Sequence, residues 1–302
     1  MAASDNESFY GMPQAPLLRR LRNYALLTRL NRPIGIGLLL WPTLWALWIA
    51  TRSLPEPRIP GLKLLLVFIA GTVVMRFAGC VINDLVDRDI DPHVRRTKGR
   101  PLATRQASPH EALALFGVLV ATALLLVMQL DRTTVLFSLV GAALTVSYPF
   151  TKRFFPLPQF WLGAAFGWAV PMAFVATLGE VPRVGWLMFI VTVLWAGIYD
   201  TQYAMVDRDD DVKLGVHSTA IAFGDLDTVL IGVMQLMVLG GLLLVGRMTG
   251  LGWQFPASLG AAAALFLWQQ WLTRHRERDG CFKAFLNNNW VGLAVLAGII
   301  AS

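Results

Sequence analysis

Of the 302 residues, 56% are hydrophobic and only 15% charged, against about a quarter charged in an ordinary soluble domain, so the chain carries an apolar surplus that lipid must cover. Its net charge of +7 lies between apolar runs and not on a soluble face, which excludes a nucleic-acid binder. The two cysteines, Cys80 and Cys281, form no CxxC pair or disulfide framework and are expected to be packing residues.

In chain order, residues 1–32 lack the continuous apolar core and small-residue cleavage site of a removable signal peptide. The stretch LLRRLRNYALLTRLNRP within them is expected to lie along a membrane surface, as a cytoplasmic segment preceding a transmembrane domain over 33–302. A membrane crossing needs about 20 mostly apolar residues, because the hydrocarbon core is roughly 30 Å thick and a helix rises about 1.5 Å per residue. Nine runs meet or approach this: 33–51, 64–83, 112–130, 133–151, 154–179, 184–206, 228–246, 248–273 and 284–302. The second contains Arg76 and the sixth Asp200; the other seven hold no Asp, Glu, Lys or Arg.

Orientation follows from Lys and Arg, which short cytoplasmic loops retain. Five lie in 19–32, six in 88–105, two at 152–153, two in 208–213 and four in 274–283, so that one side holds 19 of the 26. The other side holds six: Arg52, Arg58, Lys63, Arg132, Arg183 and Arg247. The N-terminus is therefore expected in the cytoplasm and the C-terminus, nine crossings later, opposite.

Two acidic clusters fall on the cytoplasmic side, Asn83-Asp84-x-x-Asp87-x-x-x-Asp91 after the second span and Asp207-Arg208-Asp209-Asp210-Asp211 after the sixth. If the helices continue through them, Asn83, Asp87 and Asp91 share one face, as do Asp200, Asp207 and Asp211. The two DxxxD pairs stand 120 residues and four spans apart, the pattern of an internal repeat that sets the clusters face to face. A single charge run is usually a solvated loop, but two matched rows of carboxylates repel unless a cation sits among them. A calcium loop is excluded, since position 6 is Pro92 or Val212 where Gly is required and position 12 is Lys98 or Ser218 where Glu is required. Magnesium fits, because it keeps few protein carboxylates and fills its shell with water and phosphate oxygens. With Arg95, Arg96, Lys98 and Lys152 close by in sequence or topology, the pattern points to a diphosphate bridged by metal.

Arg76 and Asp200 lie within spans, where an ionisable group costs about 2.5–3.5 kcal/mol or more and usually has a function. Arg76 stands about 10–16 Å deeper than Asn83 and Asp87 on the same helical face and can bind an anionic group below the diphosphate. The alternative is an Arg76–Asp200 ion pair serving packing alone. Trp161, Phe166 and Trp168 are expected to be packing or interface residues, Gly163 and Gly167 to mark a close helix crossing, and the four histidines to be solvated.

The segments NDLVDRDIDPHVRRTKGRPL and YDTQYAMVDRDDDVKLGVHSTA resemble the two aspartate-rich signatures of the UbiA superfamily of intramembrane prenyltransferases. RLNRPIGIGLLLWPTLWALW, SYPFTKRFFPLPQFWLGAAFGWAVPMAF and CFKAFLNNNWVG extend the resemblance over nearly the whole chain, toward the branch that prenylates 4-hydroxybenzoate in ubiquinone synthesis. The resemblance implies an all-α integral membrane fold of nine transmembrane helices around a central cavity, capped by cytoplasmic loops, in a bacterial inner membrane. It implies Mg2+ at Asn83, Asp87, Asp91, Asp207 and Asp211, diphosphate near Asn83, Arg96, Tyr148 and Lys152, and the acceptor's carboxylate at Arg76. The implied reaction ionises a polyprenyl diphosphate, after which the ring carbon ortho to the phenol of 4-hydroxybenzoate attacks the allyl cation. Asp200 is the candidate for orienting or deprotonating that phenol. Other branches take other aromatic acceptors. A multi-span transporter is the rival class, disfavoured because its charges belong at the midplane, whereas these acidic clusters sit at the membrane surface. The charge asymmetry makes one outcome checkable: a topology reporter fused after Ser302 should read as periplasmic in a bacterial host, and a cytoplasmic reading would put the span count off by one.

Overall fold

The computed structural model describes residues 16–56 and 59–302, and every regular element among them is helical. Residues 1–15 of the expected surface segment, and Arg58 of the charge count, lie outside the described residues. The helices are α1 (Pro16–Leu27), α2 (Ile34–Arg52), α3 (Leu62–Asp87), α4 (Pro109–Val127), α5 (Arg132–Thr151), α6 (Pro158–Gly167) and α7 (Ala169–Leu178). They are followed by α8 (Arg183–Leu214), α9 (Thr219–Ala222), α10 (Asp227–Met248), α11 (Gln254–Thr273) and α12 (Arg278–Ala301). Their ends fall where the local chemistry stops or starts a helix. Ser108 and Glu111 form a capping box on α4, Asp131 caps α5 through the Thr134 N–H, and Gly215 closes α8 with a φ of +66° that suits glycine.

Eight segments, with α6 and α7 taken together, are long and apolar enough to cross a membrane. The run 154–179 is broken at Trp168 into α6 and α7, because Pro171 has no N–H and its ring crowds the carbonyl of residue 167. The run 248–273 becomes helical only at Gln254, after a turn that holds Gly250 at φ +65°. The resulting α11 carries no charged side chain, but Gln254, Gln269 and Gln270 keep it from counting among those eight segments. It nevertheless runs level with its neighbours. Arg276, just past its end, pairs with Asp227 at the start of α10, and Ser258 near its start lies against Gly298 near the end of α12.

The central helices are α2 and α8, which are the most enclosed, while α4 and α5 turn most of their length outward. Trp45 and Trp195 meet with ring centroids 5.1 Å apart and planes tilted by 32°, and Leu113, Leu125, Leu136 and Leu139 are exposed on the outer helices, as expected of surfaces that face lipid. On the C-terminal side, buried amides join four helices. Asn288 Nδ2 donates to Gln202 Oε1 at 2.8 Å, and Gln269 Oε1 accepts from both Gln202 and Gln235 at 3.0 Å. Gln269 in turn donates to Asn287, and Trp195 Nε1 donates to Asn288. Such bonds satisfy polar groups that hydrocarbon cannot.

Before the first long helix, α1 lies along the charged end of the bundle. Leu27 packs with Val81, Leu102, Ala107 and Ala112, and Asn23 Nδ2 donates to the Gln106 carbonyl at 2.8 Å, while Leu17, Leu18 and Leu21 point outward. The expected close crossing also holds: a Cβ at Gly163 would come 2.8 Å from the Val193 carbonyl oxygen, so α6 rests directly on the backbone of α8. A backbone atom cannot swing aside as a side chain can. Gly163→Ala should therefore lower stability by about 1–3 kcal/mol through overpacking, despite the ~1 kcal/mol of helix propensity that alanine adds. Thermal unfolding of the detergent-solubilised protein measures this, and an unchanged midpoint would mean that the helices separate easily.

Candidate active site

The two acidic rows meet at the charged end of the bundle. α3 carries Asn83, Asp84 and Asp87 in its last turns and stops at Asp87. Asp91 therefore does not continue the helical face. It sits in a 3₁₀ turn, Asp91–His93, because Pro92 cannot extend an α-helix, and Thr97 Oγ1 donates to its carbonyl at 2.9 Å. The loop folds back, and Asp91 is buried beside the row after all. By contrast, α8 continues unbroken to Leu214, so Asp200, Asp207 and Asp211 do share one helix and one face.

Each buried carboxylate at this end is held by cations. Asp84, which has no exposure to solvent, accepts from Arg29 at 2.5 and 2.8 Å and pairs with Arg100 at 3.0 Å. Arg100 also holds Asp91, at 2.8 Å. Asp87 pairs through Oδ2 with Lys152, from the end of α5. Asp207 takes a forked pair of bonds from Arg96, at 2.8 Å from Nε and 2.5 Å from Nη2, and the Arg96 guanidinium lies 4.5 Å from the Tyr203 ring centroid. Arg96 follows the first row and grips the second, which puts the clusters face to face. Burial pushes the Asp91 carboxyl above its ordinary pKa; Arg100 pulls it back, and Asp84 and Asp87 add repulsion.

Among the described residues no three Asp, Glu, His or Cys side chains already converge on a metal position. The donor set nonetheless fits a hard cation. It is made of oxygens, and Asp87 Oδ1 is buried without a hydrogen-bond partner, an acceptor of the kind a metal ligand supplies. Magnesium needs only one or two carboxylates when phosphate and water complete its shell. Asn83, Asp87, Asp91, Asp207 and Asp211 remain the residues able to hold it.

Beneath this mouth opens a cavity of about 820 Å³. Arg29, Arg96, Arg100 and Arg278 line it, with Asn83, as do Tyr148, Tyr199, Arg76 and Asp200 among apolar residues such as Leu38, Met75, Leu162 and Phe166. Leu39, Met75, Thr145, Ala165 and Phe166 also border a second, largely apolar space of about 220 Å³ among α2, α3, α4, α5, α6 and α7. Phe166, expected to be packing, thus faces both spaces, and Trp168 faces the second while donating to the Phe137 carbonyl. Arg76 and Asp200 share the cavity and lie near enough for the charge of one to act on the other, but they form no ion pair within 4.0 Å, and among the described residues neither side chain makes a hydrogen bond.

Several lining residues were not legible in the sequence. Arg95 and Lys98, expected at the phosphates, are exposed and outside the cavity wall; Lys152, Asp87, Asp91, Asp207 and Asp211 also lie behind that wall and not on it, whereas Arg100 turns inward. Asp84 stood inside the first motif without a role, and Arg29 lies 55 residues before the carboxylate it binds, so no local spacing marks it.

A bundle of membrane-length helices around a cavity lined by arginines at its charged end, with buried cation–carboxylate pairs beside them, defines an integral membrane protein. The model of the UbiA prenyltransferase family matches residues 39–293, and the chain belongs to that family. The 4-hydroxybenzoate octaprenyltransferase of Alkalilimnicola ehrlichii is 56% identical over 93% of this chain and 94% of that protein. The protein of the same name from Pseudomonas syringae pv. syringae is 52% identical over 93% and 94%. Among solved structures, a UbiA homologue from Aeropyrum pernix K1 gives a TM-score of 0.76 at 27% identity, covering 88% of this chain and 97% of its own. One from Archaeoglobus fulgidus, bound to GPP and Mg2+, shares the fold with a TM-score of 0.71 at 17% identity, covering 92% and 98%.

The pairing pattern separates two kinds of acidic residue. Asp84→Ala leaves two part-buried arginines without their shared partner and should cost about 3–5 kcal/mol of stability, whereas Asp209→Ala, at an exposed pair with Arg278, should leave it nearly unchanged. Thermal unfolding of the two variants side by side checks this, and equal midpoints would show the Arg29 and Arg100 contacts to be dispensable.

Proposed function

We propose that this chain transfers a polyprenyl group from its diphosphate to the ring carbon ortho to the hydroxyl of 4-hydroxybenzoate, releasing diphosphate, as a step of ubiquinone synthesis. The observation that carries this reading is a single cavity that joins a mouth of paired cations and carboxylates to a deep, unpaired arginine between apolar walls. The names of relatives 52–56% identical to nearly the whole chain support the same acceptor and suggest an octaprenyl donor.

In this reading the carbon–oxygen bond of the allylic diphosphate breaks, a bond forms between the allylic carbon and the ring carbon, and the proton on that ring carbon passes to the released diphosphate or to water. Arg96, Tyr148 and Lys152, with Arg29 and Arg100, bind phosphate oxygens and stabilise the charge that collects on the leaving group. Magnesium held by Asn83, Asp87, Asp91, Asp207 and Asp211 supplies further neutralisation of that charge. Arg76 binds the acceptor's carboxylate and Asp200 orients the phenol or takes its proton. The apolar space bordered by Phe166 offers room for isoprene units out of water, which also shelters the allyl cation.

The same reading places the protein in a bacterial inner membrane. The segment from α1 to residue 32 rests on the cytoplasmic surface, the transmembrane domain follows from 33, and α11 makes the ninth crossing, so that the C-terminus is periplasmic. The level ends of α10, α11 and α12 support that count. In an assay with labelled octaprenyl diphosphate and 4-hydroxybenzoate, Asp87→Ala, Asp207→Ala and chelation by EDTA should each abolish transfer, the variants remaining folded. Full activity in EDTA would overturn the metal assignment.

A further inference from the structure

The guanidinium of Arg76 lies where a side chain on residue 35 would otherwise be. A Cβ added at Gly35, in the first turn of α2, would come 2.7 Å from Arg76 Cζ and closer still to its Nε and Nη2. Carbon and nitrogen atoms do not approach so closely without a shift. Gly35 has no positive φ, so its backbone does not call for glycine; what the glycine provides is space. Both residues line the cavity, and among the described residues no ion pair or hydrogen bond holds the Arg76 side chain in place. Its position is set by fit against α2.

Two other tight glycines differ in what they meet. At Gly163 and Gly280 an added Cβ strikes a backbone carbonyl, of Val193 and Leu272, so the helices themselves would have to part. At Gly35 it strikes the far end of a flexible side chain, and the cheapest response is for the arginine to move. A methyl group there changes the placement of a charge inside the cavity and leaves the helix packing alone.

We propose that Gly35 is a positioning residue for the acceptor: by giving the Arg76 guanidinium a berth against α2, it sets how deep an anionic aromatic acceptor sits beneath the diphosphate. The proposal rests on the reading of Arg76 as the acceptor's carboxylate ligand. Displacing the guanidinium weakens one charge-assisted bond, so Gly35→Ala should raise KM for 4-hydroxybenzoate about tenfold. KM for octaprenyl diphosphate should stay within about twofold, since uniform loss of binding to one substrate leaves the other untouched.

The experiment compares Gly35→Ala, Arg76→Ala and the double variant of the full chain, with both Michaelis constants and the thermal unfolding midpoint measured for each. The expected result is a higher acceptor KM in both single variants, no further rise in the double variant, and an unfolding midpoint in Gly35→Ala no lower than in the parent. If Arg76→Ala raises the acceptor KM and Gly35→Ala does not, the positioning role is wrong and the functional reading stands. If Arg76→Ala leaves the acceptor KM unchanged, the functional reading fails and takes the proposal with it. A Gly35→Ala effect that adds in full to that of Arg76→Ala, or a Gly35→Ala protein that fails to fold, makes residue 35 a packing position and overturns the proposal.

Discussion

Asp84 has no contact with solvent, and the charge it carries is tolerable only because Arg29 and Arg100 both reach it. Those three residues belong to separate stretches of chain: the link after the surface helix α1, the end of α3, and the loop that leads to α4. An unpaired charge in their place would cost several kcal/mol, so the three stretches are committed to one arrangement, and Arg100 extends the commitment to Asp91. Around the mouth, Asp84, Asp87, Asp91 and Asp207 are matched by Arg29, Lys152, Arg100 and Arg96. A lone divalent ion entering this network would have to strip carboxylates from their partners and leave cations stranded. A diphosphate arriving with its metal would let the pairs exchange, carboxylates turning toward metal and cations toward phosphate, so that neither is left without a partner. In the proposed function, recognition of the two is for that reason a single event.

A second buried carboxylate repeats the device. Asp227, at the head of α10, has no exposure and is held by Arg208 at 3.2 Å and Arg276 at 2.9 Å, which ties α8, α10 and the link from α11 to α12. In each trio one arginine, Arg29 or Arg276, stands in the left-handed backbone region at φ +58° or +55°. That region is uncommon for a residue with a side chain, and the ion pairs to a buried carboxylate offset its cost. The two trios do not follow the 120-residue offset of the DxxxD pairs, so the bracing is a recurring device and not part of that repeat.

The helical membrane architecture and the two acidic rows were legible in the sequence because both arise from local pattern, apolar length in one case and helical spacing in the other. Asp200, Asp207 and Asp211 keep their common face because α8 runs on to Leu214. Asp91 does not, although Pro92 was there to be weighed, and it regains its place by a fold of the loop that no spacing encodes. The break at Trp168 was likewise signalled by Pro171 beneath a run that composition alone reads as one helix. Arg29 and Gly35 could not be found this way. Their partners, Asp84 and Arg76, are 55 and 41 positions away, and contacts between helices depend on how the bundle packs, which periodicity leaves open.

The buried amides of the C-terminal helices bear on how the protein is made. Gln269 of α11 bonds to Gln202 of α8, Gln235 of α10 and Asn287 of α12. Alone in hydrocarbon, an α11 helix would carry its glutamines unsatisfied, and it is not among the segments apolar enough to cross on composition alone. During synthesis its partners on α8 and α10 precede it and those on α12 follow. In the proposed nine-span topology the segment would gain its full set of polar partners only once α12 has been made, so α10, α11 and α12 would be stable in the bilayer as a group.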